Sequence, residues 1–343
     1  MITRRSLVAG AGLGVAAFAI GGRAQAQSPV KMMMDWAWQG PQAPFLLAEK
    51  KGYFRAENTP VQLDRGFGSL RTPTEIAQGT YQMGFADLPT AIQFLFRNPS
   101  SEVVCVGVVF DQSPLCAVTD ANGPIRTPRD LEGKRVAAPE NDGGRQMFPA
   151  FAKAAGIDAS KINWLTVTPA LREPMLARGE ADAITGFITS AVMSLEAVQF
   201  PVARQRIFRY RDFGLPFYSG AILTSRKFAR ENAALVRGVV KASFRGFQDA
   251  VRNPDEAIAA LREREQLTDV AIERRRLGIA IDELMVTPVT RANGLSFVDP
   301  ARMQRNIDIV KETFSLTGDL KVADVWDGSF LPERSFLTVP GSA

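Results

Sequence analysis

Between residues 31 and 198 the chain runs through one pattern twice: a short apolar strand, a turn, an amphipathic helix, then the next strand. That rhythm confines it to α/β folds in which mainly parallel sheets are flanked by helices. The first pass predicts strands over 31–35, 61–65, 82–86 and 103–109, with helices over 41–51, 72–78 and 89–97. The last of these strands is a continuous β-branched run, the composition of a strand covered on both faces. After Asn122-Gly123-Pro124 the rhythm restarts, with a short capped helix over 127–131 and strands over 135–138, 162–167 and 183–185. Helices over 145–155, 172–178 and 190–198 separate them, the first two stopped by Gly156 and Gly179. Beyond Ser219 comes a strand over 220–224 and then helical spacing over 233–252, 254–264, 269–283 and 299–313. Arg274-Arg275-Arg276 within that tail reads as a solvated helix face. Two αβ lobes follow: a first lobe over 29–118, a second over 119–216, and a return with C-terminal helices over 217–343. The chain is expected to cross between them near 117–124 and again near 212–219.

Residues 1–26 form a targeting segment outside that fold. Arg4 and Arg5 supply a charged start, an apolar run follows, and Ala24-Gln25-Ala26 has the small-x-small form of a signal-peptidase site. Thr3-Arg4-Arg5-Ser6-Leu7 also has the look of a twin-arginine signal. No cysteine lies near the cleavage point, so a free periplasmic protein is expected, not a lipid-anchored one. Cleavage removes Arg4, Arg5 and Arg23 and no acid, so the net charge of +5 falls to +2. A nearly neutral chain gives no reason to expect nucleic acid as a partner. Histidine is absent, which excludes Ser-His and Cys-His catalysis and His-based metal sites. No metal or other cofactor is implied. Cys105 and Cys116 fit either a disulfide in an exported chain or two buried thiols.

In two-lobed α/β folds, ligands sit at the carboxyl ends of strands and the starts of helices. Those positions hold Asp35, Trp36, Trp38 and Gln39 after the first strand, Phe67 after the second, and Asp87 after the third. Asp87 is also placed to cap the helix that follows it. The second lobe offers Asn141, Asp142, Gly143, Gly144 and Arg145, then Phe187, with Tyr218 at the return crossing. Gly143 and Gly144 open backbone N–H groups to an anion or carbonyl oxygen, and Arg145 adds a bidentate donor. Aromatic rings gathered at cleft positions point to a planar ligand held by stacking, with the acids and Gln39 orienting its polar edges. Ligand charge stays open: facing glycines and Arg145 favour an anion, dominant Asp35 and Asp142 an amine-bearing ring.

The run Asp35-Trp36 … Pro44 … Ala48-Glu49-Lys50-Lys51-Gly52-Tyr53-Phe54 … Val61 resembles the opening of solute-binding proteins of ABC importers. The branch related to thiamine-pyrimidine-precursor binders is the nearest, with sulfonate, taurine and nitrate binders as cousins. Gln82-Met83-Gly84-Phe85-Ala86-Asp87 and Asp212-Phe213-Gly214-Leu215-Pro216-Phe217-Tyr218 extend the resemblance, which covers roughly residues 30–314. It implies a type II-like periplasmic binding protein fold, a small-molecule solute in the inter-lobe cleft, an ABC permease as partner, a monomer, and no catalysis. Pyrimidine binders commonly follow Asp-Trp with Asn and His; here Trp38-Gln39-Gly40-Pro41-Gln42 stands in that place. Their usual glycine before the second strand is replaced around Asn58-Thr59, which an Asn in a left-handed conformation tolerates. Three readings follow: capture of a small planar heteroaromatic such as a pyrimidine, capture of an organic anion such as a sulfonate or aromatic carboxylate, or an exported enzyme using a carboxylate pair on this scaffold.

Overall fold

The computed structural model describes residues 28–341, so the expected signal peptide over residues 1–26 lies outside the described residues. Ten strands follow in chain order: β1 (Val30–Met33), β2 (Val61–Asp64), β3 (Met83–Ala86), β4 (Val103–Phe110), β5 (Leu115–Asp120), β6 (Arg135–Ala138), β7 (Asn163–Thr166), β8 (Ala183–Phe187), β9 (Gln205–Arg209) and β10 (Ser219–Ser225). They form two five-stranded sheets, ordered β2-β1-β3-β10-β4 and β7-β6-β8-β5-β9. In each sheet one strand opposes the rest: β10 is antiparallel to β3 and β4, and β5 is antiparallel to β8 and β9. The other neighbours pair in parallel, as helical crossovers between successive strands require.

Residues 115–118, expected in the first lobe, hydrogen-bond in the second sheet as part of β5. The first crossing is therefore the four-residue stretch 111–114, not 117–124. The second is 214–218. Both are tied down by the C-terminal helix Pro300–Thr313. From it, Arg302 donates to the Asp111 carboxylate at 2.6 Å and to the Pro216 carbonyl at 2.9 Å. Asn306 donates to the same Pro216 carbonyl at 3.0 Å and accepts the Tyr218 N–H at 2.8 Å. Thr287 Oγ1 donates to the other oxygen of Asp111 at 2.6 Å.

Each lobe is held by apolar side chains packed between its sheet and its helices. In the first, the rings of Phe247, Phe45, Phe85 and Phe110 meet edge to face, with successive centroids 5.1, 5.1 and 5.9 Å apart. In the second, Phe151 stacks on Tyr210 at 4.4 Å. The helices Ala233–Arg252 and Pro254–Arg264 fall where their spacing predicts, Pro254 opening the latter. The helix expected over 145–155 is instead split into Gly143–Gln146 and Phe148–Ala155, because Pro149 has no N–H to continue the first piece. Asn58 takes the left-handed conformation, at φ 51. Cys105 lies on β4 and Cys116 on β5, in different sheets. Both are free and buried, and burial pushes each thiol up to about 12. There is no disulfide between them.

Candidate functional site

Between the two sheets lies a small, tightly closed cavity lined by both lobes. The first lobe contributes Asp35, Trp36, Gln39, Pro41, Gln42, Ser69 and Phe110; the second contributes Asp142, Gly143, Phe187, Thr189 and Ser190. Each arrives from the carboxyl end of a strand or the turn after it. Gly220 lets the Phe110 ring lie against β10, since a Cβ there would sit 2.5 Å from the ring. Gly143 does the same for Phe187, whose ring would be 2.9 Å from any added Cβ.

Two carboxylates dominate the polar wall. Asp35 is buried, accepts one hydrogen bond from Gln42 Nε2 at 2.8 Å, and has its carboxyl pushed up to about 7 by burial. The oxygen of that amide, Gln42 Oε1, is buried and has no hydrogen-bond partner. A buried acceptor left unpaired costs about 1–3 kcal/mol. Asp142 is the better satisfied acid. It accepts from the Arg145 N–H at 2.9 Å, from Thr185 Oγ1 at 3.2 Å and from Arg172 Nη1 at 3.0 Å. Burial still holds its carboxyl above the usual range, against the lowering effect of Arg172. Arg172 is itself buried, donates to Glu173 Oε1 at 2.6 Å, and lies 5.0 Å from the Trp36 ring across the cleft. One face of that indole is therefore covered by a cation of the other lobe.

Of the residues expected at the site, Asp35, Trp36, Gln39, Asp142, Gly143 and Phe187 line the cavity. Seven lie elsewhere. Trp38 is buried in the first lobe with the Arg264 guanidinium 5.2 Å from its ring. Phe67 is 45% exposed between Arg65 and Arg71. Asp87 caps the helix Leu88–Arg97, accepting from the Thr90 N–H, while Ser219 donates to its second oxygen at 2.7 Å. Burial lifts its carboxyl to about 6, but both its oxygens are already engaged. Asn141 meets the opposite lobe through its backbone, its carbonyl accepting the Leu70 N–H at 3.3 Å. Gly144 packs on β8, where a Cβ would sit 2.5 Å from the Gly186 nitrogen. Arg145 turns from the cavity to the Ala138 carbonyl, Thr166 Oγ1 and the Trp164 ring. Tyr218 is buried, its hydroxyl accepting the Asp299 N–H and its ring 3.9 Å from the Arg302 guanidinium.

Pro41, Gln42, Ser69, Phe110, Thr189 and Ser190 also line the cavity but were not singled out as site residues, although strand ends and helix starts reach all but Gln42. Arg172 was not singled out, since its stretch reads only as the start of the helix over 172–178. The arginine triplet divides as well. Arg274 pairs with Asp255 and Arg275 with Glu196, both partly exposed, but Arg276 is buried. It crosses to the second lobe, donating to the Thr189 and Ser190 carbonyls at 2.8 and 2.9 Å.

Two lobes packed around a cavity and joined by two short crossings are the architecture of periplasmic solute-binding proteins. The chain belongs to the NMT1/THI5-like family, which it matches over residues 40–257. It is 22% identical over 318 residues to riboflavin-binding protein RibY of Chloroflexus aurantiacus, a match covering 86% of this chain and 83% of that one. It is 25% identical over 244 residues to a formylaminopyrimidine-binding protein of Halalkalibacterium halodurans, covering 69% and 71% respectively. Among solved structures, the alkanesulfonate-binding protein SsuA of Xanthomonas axonopodis pv. citri, bound to MOPS, superposes with a TM-score of 0.67 at 18% identity. That match covers 88% of this chain and 99% of the other, and it establishes the shared fold. Among the described residues, no helix is long and apolar enough to cross a membrane.

Proposed function

We propose that this protein captures a small planar heteroaromatic solute bearing N–H donors, of the aminopyrimidine kind, and delivers it to the permease of an ABC importer. The observation that carries the reading is the pairing of Asp35 with the unpartnered Gln42 Oε1 in a cavity whose lining contains no cation. Two adjacent acceptors suit a ring edge with an amine and a second N–H, and Phe110, Phe187 and Trp36 supply flat apolar surface. An anionic solute is disfavoured by the same inventory. Arg145 is committed elsewhere, and the carboxylate of Asp142 already occupies the start of the Gly143–Gln146 helix. The relatives that bind riboflavin and formylaminopyrimidine support a ring-shaped ligand. Export to a periplasm, action as a monomer and the absence of turnover belong to this proposal.

A thermal-shift panel tests it. Saturation at a hundredfold excess over Kd stabilises the fold by about 2.7 kcal/mol, a clear shift. We expect 4-amino-2-methylpyrimidine or a flavin to raise the Tm, methanesulfonate and nitrate to leave it unchanged, and Asp35→Asn to abolish the response. Stabilisation by the anions alone overturns the reading.

A further inference from the structure

Both walls of the cavity are held by a single helical turn that lies outside it. The helix Val270–Ile279 presents Glu273 and Arg276, three residues apart and so on one face. Glu273 Oε2 accepts the Gly40 N–H at 2.6 Å, fixing the first-lobe turn that carries Gln39, Pro41 and Gln42. Contact there is close, since a Cβ on Gly40 would sit 2.5 Å from the Glu273 carbonyl oxygen. The other carboxylate oxygen lies 2.9 Å from Arg276 Nε. Arg276 Nη1 then reaches the second lobe, donating to the carbonyls of Thr189 and Ser190, while Nη2 donates to Ser194 Oγ at 2.9 Å. Thr189 and Ser190 belong to the π-helical turn Ile188–Val192, a geometry frequent at functional sites.

We infer that Glu273 and Arg276 form a clasp that draws the second-lobe wall onto the first, holding the lobes closed before solute arrives. They act as positioning residues through Thr189 and Ser190. Other contacts also bridge the lobes, but Arg275–Glu196 and Arg211–Glu283 are partly exposed. Exposed pairs contribute little, whereas three charge-assisted bonds from a buried guanidinium are strong and are lost together on opening. Opening would strip the Arg276 guanidinium of all three of those partners, so the clasp favours closure independently of any ligand. The inference rests on the proposed cavity reading only for its ligand arm.

Small-angle scattering of the ligand-free protein tests it directly. Arg276→Gln is expected to increase the radius of gyration relative to wild type, with Arg275→Gln behaving as wild type. Because Arg276→Gln strands Glu273, the double variant E273Q/R276Q, which leaves no lone buried charge, carries the test if the single variant does not fold. Stopped-flow dissociation of 4-amino-2-methylpyrimidine is expected to be at least tenfold faster in the folded variant. A folded double variant with the wild-type scattering curve overturns the clasp, even if its Tm has dropped. The scattering arm needs no solute, so a pyrimidine that fails to bind counts against the ligand reading and not against the clasp.

Discussion

Asp35 is where the proposed solute recognition and fold stability oppose one another. Its carboxyl titrates near 3.8 when unfolded and about 7 in the fold, chiefly because of burial. For an acid raised in this way, the folded state favours the protonated form. The empty protein therefore loses stability as pH climbs from about 4 to 7, by on the order of 4 kcal/mol at most. Asp35→Asn should accordingly raise the Tm at pH 8, leave it nearly unchanged at pH 4, and abolish solute binding. Equal Tm values for wild type and variant at pH 8 would refute this assignment. A ring whose N–H stabilises the carboxylate, and which does not itself titrate here, should bind more weakly as pH falls through 7. Calorimetry across pH 5.5–8 checks the sign. Asp35, Trp36 and Phe187 were legible from sequence because strand ends are legible. Trp38 and Tyr218 were not, because position in a loop says nothing about whether a ring turns toward the cleft or the core. Arg276 was hidden by its neighbours: three consecutive arginines read as one solvated face, yet successive residues on a helix point 100° apart.

Among the elements, long helices with strong spacing were readable and short strands beside a crossing were not. Ala233–Arg252 stands out through its periodicity, whereas β5 starts only five residues after β4 ends, so its sequence reads as connection. β9, QRIFR, is charged at its second and last positions and lacks the alternating apolar pattern of a half-buried strand. Its place beside β5 comes from tertiary pairing alone. The element that governs the crossings is the helix Pro300–Thr313, through Arg302. Asp111, to which Arg302 donates, has a side chain only 1% exposed, so removing the arginine leaves a buried carboxylate short of its cation. Arg302→Ala should cost roughly 3 kcal/mol in urea unfolding. A loss below about 1 kcal/mol would mean that Thr287 and Gln112 satisfy Asp111 unaided.

At the scale of the molecule, the two-lobed plan was readable because the strand-helix rhythm restarts, but the partition of chain between lobes was not. Sheet order depends on pairings far apart in sequence, and none joins more distant partners than those of β10. That strand is the last to be made and lies inside its sheet, hydrogen-bonded to β3 on one side and β4 on the other. The second sheet, by contrast, is drawn from one uninterrupted stretch between Leu115 and Arg209. Closing long loops before contacts form slows assembly, so the middle of the chain should organise first. In pulse-labelled hydrogen exchange during refolding, amides of β5, β6 and β8 should gain protection before those of β3 and β4; the reverse order would refute this sequence of events. Synthesis from the N-terminus imposes the same hierarchy. A nascent chain halted between Arg209 and Ser219 carries all the strands of its second sheet, while its first still has a gap between β3 and β4.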